Sequence, residues 1–183
     1  MKLSILIPTL EQRAAMLANV LFDLNTQIDY EEVGDQVEIV VLCDGGEKPT
    51  GAKRNELLEQ AKGEYISFVD DDDVVSPNYI HLVLDALKTS PDVVGMRGVY
   101  CVDGRYFGLF EHSIEHKEWY QTGDRFFRPP NHLNPVKREF ALLAKFPDVV
   151  FGEDREYSMK LRLMLSTQVM IDTPIYTYMA RQK

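Results

Sequence analysis

Four consecutive aspartates, Asp70-Asp71-Asp72-Asp73, follow the apolar run from Tyr65 to Val69 and carry the most specific chemistry in the sequence. Like charges this close repel one another, and nothing about folding requires them together. One reading is a solvated acidic loop ahead of a helix, where the helix dipole favours carboxylates. An EF-hand calcium loop would need glycine where Val75 stands. A phosphatase of the DxDx[TV] type would carry its motif on the first strand. Hard divalent cations such as Mg2+ or Mn2+ want oxygen ligands and tolerate bridging phosphates, which a carboxylate pair at the carboxyl end of a strand supplies.

Three other groups add chemistry. Glu153-Asp154 is a second acidic pair, able to remove a proton from a hydroxyl or simply to occupy the first turn of a helix. Lys53-Arg54-Asn55 offers cations for phosphate or for an aspartate, although Lys53 and Arg54 equally fit a solvated helix face. His132 lies in the loop Pro129-Pro130-Asn131-His132-Leu133-Asn134-Pro135, within reach of a metal or diphosphate or merely at the surface. Trp119, Tyr120, Phe126 and Phe127 can stack on a ligand or pack their own loop.

The elements that position these groups follow from periodicity. Leu3 to Ile7, ended by Pro8-Thr9, reads as a buried strand, and Met16, Leu17, Val20, Leu21, Leu24 and Ile28 recur at helical spacing. The polar stretch Asp29 to Gln36 then reads as a loop. Val37 to Cys43 is a second strand closed by Asp44-Gly45-Gly46, followed by a helix over Gly51 to Lys62 with Gly63 as its cap. After the third strand, Ser76 and Pro77 open a helix that buries Ile80, Val83, Leu84 and Leu87. Asp103-Gly104 marks a hairpin, Trp119 to Asn134 a loop, Glu153 to Leu165 a helix, and Val169 to Ile171 and Ile175 to Tyr178 two last strands. Strands alternating with helices predict an α/β fold with a mixed, mostly parallel sheet.

The ordered set Ile5-Leu6-Ile7-Pro8-Thr9, Asp44, Lys53-Arg54-Asn55, Ala61-Lys62-Gly63-Glu64-Tyr65-Ile66 and Phe68-Val69-Asp70-Asp71-Asp72-Asp73 resembles the motifs of family 2 glycosyltransferases. It covers roughly the first 80 residues and is continued by Gly152-Glu153-Asp154. The resemblance implies a single GT-A type, Rossmann-like domain over 1–183, with residues 1–100 binding a nucleotide-sugar and 101–183 carrying the acceptor and catalytic groups. It implies that Pro8 and Thr9 line the nucleotide pocket and that Asp44 accepts from the base. Arg54 and Asn55 would face the nucleotide, with Lys53 beside them. Asp70 and Asp72 become the DxD pair, Asp72 as direct metal ligand and Asp70 divided between ribose and metal, with Asp71 between them and Asp73 orienting its neighbours. Asp154 is the first choice for the base and Glu153 the second.

The expected reaction is inverting sugar transfer, dependent on Mn2+ or Mg2+, from a UDP-sugar, or a GDP-sugar as second choice, to a saccharide, lipid or protein acceptor. A nucleotide-sugar binding protein without turnover is one rival. A nucleotidyltransferase is another, but Thr9-Leu10-Glu11-Gln12-Arg13 replaces the glycine-rich phosphate loop that it needs. Composition agrees with an anionic substrate held locally: the 183 residues carry 20 Lys and Arg against 29 Asp and Glu, a net charge of −9 that argues against general nucleic-acid or anionic-membrane binding. Cys43 and Cys101 have no metal or disulfide spacing, and no apolar run approaches a membrane span, so a cytoplasmic location, with room for peripheral membrane attachment, is expected.

Overall fold

The computed structural model describes residues 1–149 and 152–181. Strand β1 (Leu3–Leu10) is buried on both faces, which is why it reads as an unbroken apolar run. Leu3, Ile5 and Ile7 point to one side, where helices α1 (Ala14–Tyr30) and α3 (Tyr79–Ala86) supply Val20, Leu24, Ile80 and Val83. Leu6 points to the other, against Leu57 and Leu58 of α2 (Thr50–Gln60), Ala141 and Ala144 of α4 (Arg138–Ala144), and Tyr157 and Leu161 of α5 (Glu153–Arg162). The sheet is thus the middle of three layers, and each aliphatic side chain it buries contributes roughly 1.5–3 kcal/mol.

Strand β1 lies between β2 (Val37–Asp44) and β3 (Tyr65–Phe68), parallel to both. Their carboxyl ends bring Pro8 and Thr9, Asp44, and the aspartates beyond Phe68 to one edge of the sheet. After the two-residue β4 (Val74–Val75), strand β5 (Val93–Val102) turns at Asp103-Gly104 into β6 (Arg105–His112). Both turn residues have positive φ, +50° and +74°, the left-handed pair that a two-residue hairpin demands. The predicted loop from Trp119 to Asn134 instead contains a hairpin, β7 (Tyr120–Thr122) and β8 (Arg125–Arg128), with β8 parallel to β6.

Strand β9 (Val136–Lys137) pairs with β3 and β5, and the two expected terminal strands form one irregular strand, β10 (Gln168–Ala180). Strand β10 runs parallel along all of β5 and antiparallel to β4. The mixed sheet is as expected, and residues 1–100 and 101–183 share it.

Several helix ends differ from expectation, among them that of α5, which stops at Arg162 rather than Leu165. Helix α2 stops at Gln60, and Gly63 does not cap it: its N–H donates to Ser4 Oγ at 2.7 Å, and a Cβ there would lie 2.6 Å from the Ser4 nitrogen, so close strand packing demands the glycine. Helix α3 starts at Tyr79 rather than Pro77, because the Ser76 hydroxyl bonds the Asn78 side chain instead of an amide of the first turn. Helix α1 also runs on to Tyr30, which shortens the predicted loop after it.

Candidate active site

Helix α2 begins just beyond the carboxyl end of β2, so its first turns face the strand ends. Lys53 and Arg54 both turn inward and are buried, which excludes the solvated helix face for either. Lys53 Nζ donates to Thr9 O at 2.8 Å and to Asp44 Oδ1 at 2.6 Å. The Lys53 bond holds the Asp44 carboxyl below its usual pKa, helped by the amides of Lys48 and Gly46. Both Asp44 oxygens are therefore engaged within the protein.

Arg54 joins two parts of the chain. Its Nη2 donates to Asp70 at 2.9 Å and its Nη1 to Glu153 at 2.9 Å. Burial opposes the charge on Arg54, but Asp70 and Glu153 more than offset it. Burial likewise opposes the charge on Asp70, and Arg54 together with His132, whose Nε2 lies 3.4 Å away, holds its carboxyl well below the ordinary range. Asn55 points elsewhere: its side chain makes two 2.9 Å bonds to the Phe146 backbone and lines neither cavity described below. Gly51 meets protein as well, since a Cβ there would lie 2.0 Å from Pro147 O.

The aspartates divide by role. Asp71 is buried, accepting from Thr9 Oγ1 at 2.6 Å and from Arg13 at 2.7 Å. Arg13 reaches Asp72 only at 3.3 Å. Asp72 remains 24% exposed, and burial, followed by the charges of Asp70 and Asp71, raises its pKa despite Arg13. Asp73 accepts from Tyr176 Oη and the Met179 amide, both at 2.7 Å, while Tyr176 Oη accepts from the Asp70 amide at 3.1 Å. Burial and the charge of Asp70 push the Asp73 carboxyl up to about 8. That chain of bonds fixes the aspartate loop against β10.

Two cavities meet at Arg54 and Asp70. The first, about 530 Å3, is lined by Pro8, Thr9, Arg13, Lys53 and Asp70–Asp72 together with the loop before α2. The second, about 310 Å3, holds Asp154, Glu153, His132, Arg128 and the rings of Trp119 and Tyr178. Glu153 is committed to Arg54, whereas among the described residues Asp154 Oδ1 takes only the neighbouring Arg155 amide, at 2.8 Å. In this second cavity Arg54 Nε, His112 Nε2, Asn131 Nδ2 and His132 Nδ1 have no hydrogen-bond partner among the described residues. Leaving such groups unpaired costs about 1–3 kcal/mol each.

Among the described residues no three His, Cys, Asp or Glu side chains form a ready metal site. The carboxylates nonetheless suit a hard cation, because Asp72 is crowded by Asp70 and Asp71 and only partly offset by Arg13. The protein can offer Asp72 and Asp70, leaving the remaining positions to phosphate oxygens or water.

Sequence reasoning missed Arg13 and Arg128. The first stands four residues past Thr9, among helix-face residues. The second lies in a segment noted only as basic and aromatic, and its guanidinium covers the Trp119 ring at 4.2 Å. Of the other rings in that segment, Tyr120 stacks on Phe127 and Phe126 packs edge-on against Tyr100, leaving Trp119 and Phe126 on the cavity wall.

Residues 39–146 match the model of glycosyl transferase family 2. Over 73 residues the chain is 25% identical to a glucosyl-dolichyl phosphate glucuronosyltransferase of Haloferax volcanii, a stretch covering 40% of this chain and 23% of that protein. The fold is similar to that of S. aureus TarS 1-349 in complex with UDP, with a TM-score of 0.75, 18% identity, and coverage of 98% of this chain and 61% of that one. It is also similar to the mannosyltransferase PcManGT from Pyrobaculum calidifontis in complex with GDP-Man and Mn2+, with a TM-score of 0.60, 14% identity, and coverage of 97% and 56%. The chain spans less than two thirds of each of these proteins. Among the described residues no helix is long and apolar enough to cross a membrane.

Proposed function

Since the chain belongs to glycosyl transferase family 2, we propose that it moves a sugar from a nucleotide-diphosphate sugar to an acceptor hydroxyl, with inversion at the anomeric carbon. The observation that carries this reading is the Arg54–Asp70 pair on the wall shared by two cavities, with carboxylates for a cation on one side and Asp154 on the other. The larger cavity takes the nucleotide between Pro8, Thr9 and the loop before α2. The smaller takes the sugar and the acceptor.

Asp72 and Asp70 would hold Mn2+ or Mg2+, which when bound supplies positive charge to the diphosphate. The residues of the chain do the rest. Arg54 sits where the leaving diphosphate must pass and is charged by virtue of its two carboxylate partners. Thr9, Asp71 and Arg13 tie the end of β1 to the aspartate loop. Asp154 takes the acceptor's proton as the oxygen bonds to the anomeric carbon, and the electron pair of the broken bond leaves with the diphosphate. Glu153 holds Arg54 through Oε1, and the role of base goes to Asp154, which forms no ion pair among the described residues.

UDP and GDP-mannose, bound by the structurally similar proteins, are the first donor probes. The test is calorimetric binding of UDP and GDP with Mn2+ and with chelator, paired with an assay for nucleoside diphosphate release from UDP- and GDP-sugars. Binding that tightens with Mn2+, with release of diphosphate, is expected. Release of pyrophosphate, or tight binding with no turnover of any donor by an acceptor or water, would count against it.

A further inference from the structure

The smaller cavity carries a positive group that sugar transfer as such does not require. The Arg128 guanidinium lies over the Trp119 ring, 4.2 Å from its centroid, on the wall that also holds Asp154. Among the described residues it forms no ion pair and donates no hydrogen bond, and Asp154, Tyr178 and Tyr100 act on it only at a distance. Burial pushes its pKa down, the sign of a cation whose lost hydration is not replaced by the protein. The other arginine on this wall is already matched: Arg54 is shared by Asp70 and Glu153. Around the same space stand Asn131 Nδ2, His112 Nε2 and His132 Nδ1, each on a side chain no more than 5% exposed and each without a partner among the described residues. Arg128 is absent from the lining of the nucleotide cavity, so the anion it awaits is not the one held by Thr9, Lys53 and the aspartates.

We infer that the cavity beside Asp154 binds a carboxylate or phosphate group carried by one of the two sugars, read by Arg128 with Asn131 as a flanking donor. A guanidinium fork matches the planar carboxylate and the phosphate face, so an anionic group gains paired hydrogen bonds where a neutral sugar offers single hydroxyls. The group arrives either on the transferred sugar, as in a uronic acid donor, or on the acceptor.

The inference rests on the sugar-transfer reading, and the experiment separates the two. Wild type, Arg128→Gln and Arg128→Lys are compared by calorimetry, first for UDP and GDP with Mn2+. The donor arm compares UDP-glucuronate with UDP-glucose, or GDP-mannuronate with GDP-mannose. The acceptor arm compares glucose 6-phosphate with glucose on protein saturated with nucleoside diphosphate and Mn2+. In one arm wild type should prefer the anionic probe by about tenfold or more, given the strength of charge-assisted bonds. Arg128→Gln should erase that preference and Arg128→Lys keep part of it, with nucleotide affinity unchanged in both. Equal affinity for anionic and neutral probes in both arms would overturn the inference. A loss of UDP or GDP affinity in Arg128→Gln would overturn it too, by assigning Arg128 to the diphosphate. Failure of wild type to bind either nucleotide would instead strike at the sugar-transfer reading, and this inference would fall with it.

Discussion

Arg54 and Glu153, 99 positions apart in sequence, are joined at 2.9 Å, and the other arm of the same guanidinium holds Asp70. Removing the cation leaves two carboxylates facing each other away from water. Arg54→Met should therefore lower stability by about 3–5 kcal/mol, the usual consequence of deleting one partner of a buried ion pair. Urea denaturation measures it, and a loss under about 1 kcal/mol would mean that the carboxylates find water or protons readily.

Asp154 and Glu153 should separate binding from chemistry. Asp154→Asn keeps shape but cannot accept a proton, so donor affinity should stay within about twofold while transfer falls by about 10²–10⁴-fold. Glu153→Gln should keep more transfer and lose stability instead, because it weakens the bond to Arg54. Near-normal transfer by Asp154→Asn would remove it from the role of base.

Asp72→Asn should abolish most of the gain in nucleotide affinity that Mn2+ confers. Folding should be retained or slightly improved, because the substitution relieves the burial of a charge and the repulsion from Asp70 and Asp71 that raise the Asp72 pKa. Calorimetry with and without Mn2+ and a melting curve make the comparison. Metal dependence preserved in full would place the cation elsewhere.

His112 gives a pH dependence of stability. It is fully buried, its Nδ1 lies 3.1 Å from Asn134 Oδ1, and burial holds its pKa well below 6.5. The folded state thus stays neutral while the unfolded chain takes up a proton as pH falls below about 6.5. The contribution of His112 is present above that pH and lost below it, by up to about 1.4 kcal/mol per pH unit. His112→Gln, whatever its stability at pH 7.5, should lose less between pH 7 and pH 5 than wild type, as read from denaturation midpoints. Parallel slopes would show that the ring is protonated in the folded state.

Gly51→Ala tests the wall behind the arginine. A methyl group 2.0 Å from Pro147 O must displace the segment that Asn55 clamps at Phe146, at a cost of about 1–3 kcal/mol. Differential scanning calorimetry should show a lower Tm for the variant than for Ala52→Gly, a helix change made next to it without that clash.

What could be read from sequence was local. Strand, loop and aspartate run succeed one another within about 80 residues, so order alone places Pro8, Asp44 and Asp70–Asp73 at one sheet edge. Partners far along the chain were not legible. Asn55 carries the residue type expected at a nucleotide, yet it is held by Phe146, 91 positions away. Arg13 meets Asp71 across 58 positions, and nothing in the residues around either predicts the pairing. Lys53 and Arg54 also fit a solvated helix face; both turn inward because each meets a carboxylate from a different strand end. The hairpin of β7 and β8 escaped notice because its strands are three and four residues long, too short for periodicity to register.

The bonds from Tyr176 and Met179 to Asp73 bear on how the site comes into being during synthesis. A nascent chain can align β1, β2 and β3 early, since their pairing spans few residues, but β10 must return to β4 and β5 before the aspartate loop is fixed. Until the ribosome has added Met179, four aspartates stand at the end of a half-made sheet with neither the tyrosine nor the backbone amide that restrains them. Closure of so long a loop is a late and slow event. Any competence to hold a nucleotide-sugar then arrives with the last strand, so a stalled, shortened chain would be inert even though it contains every residue of the aspartate run.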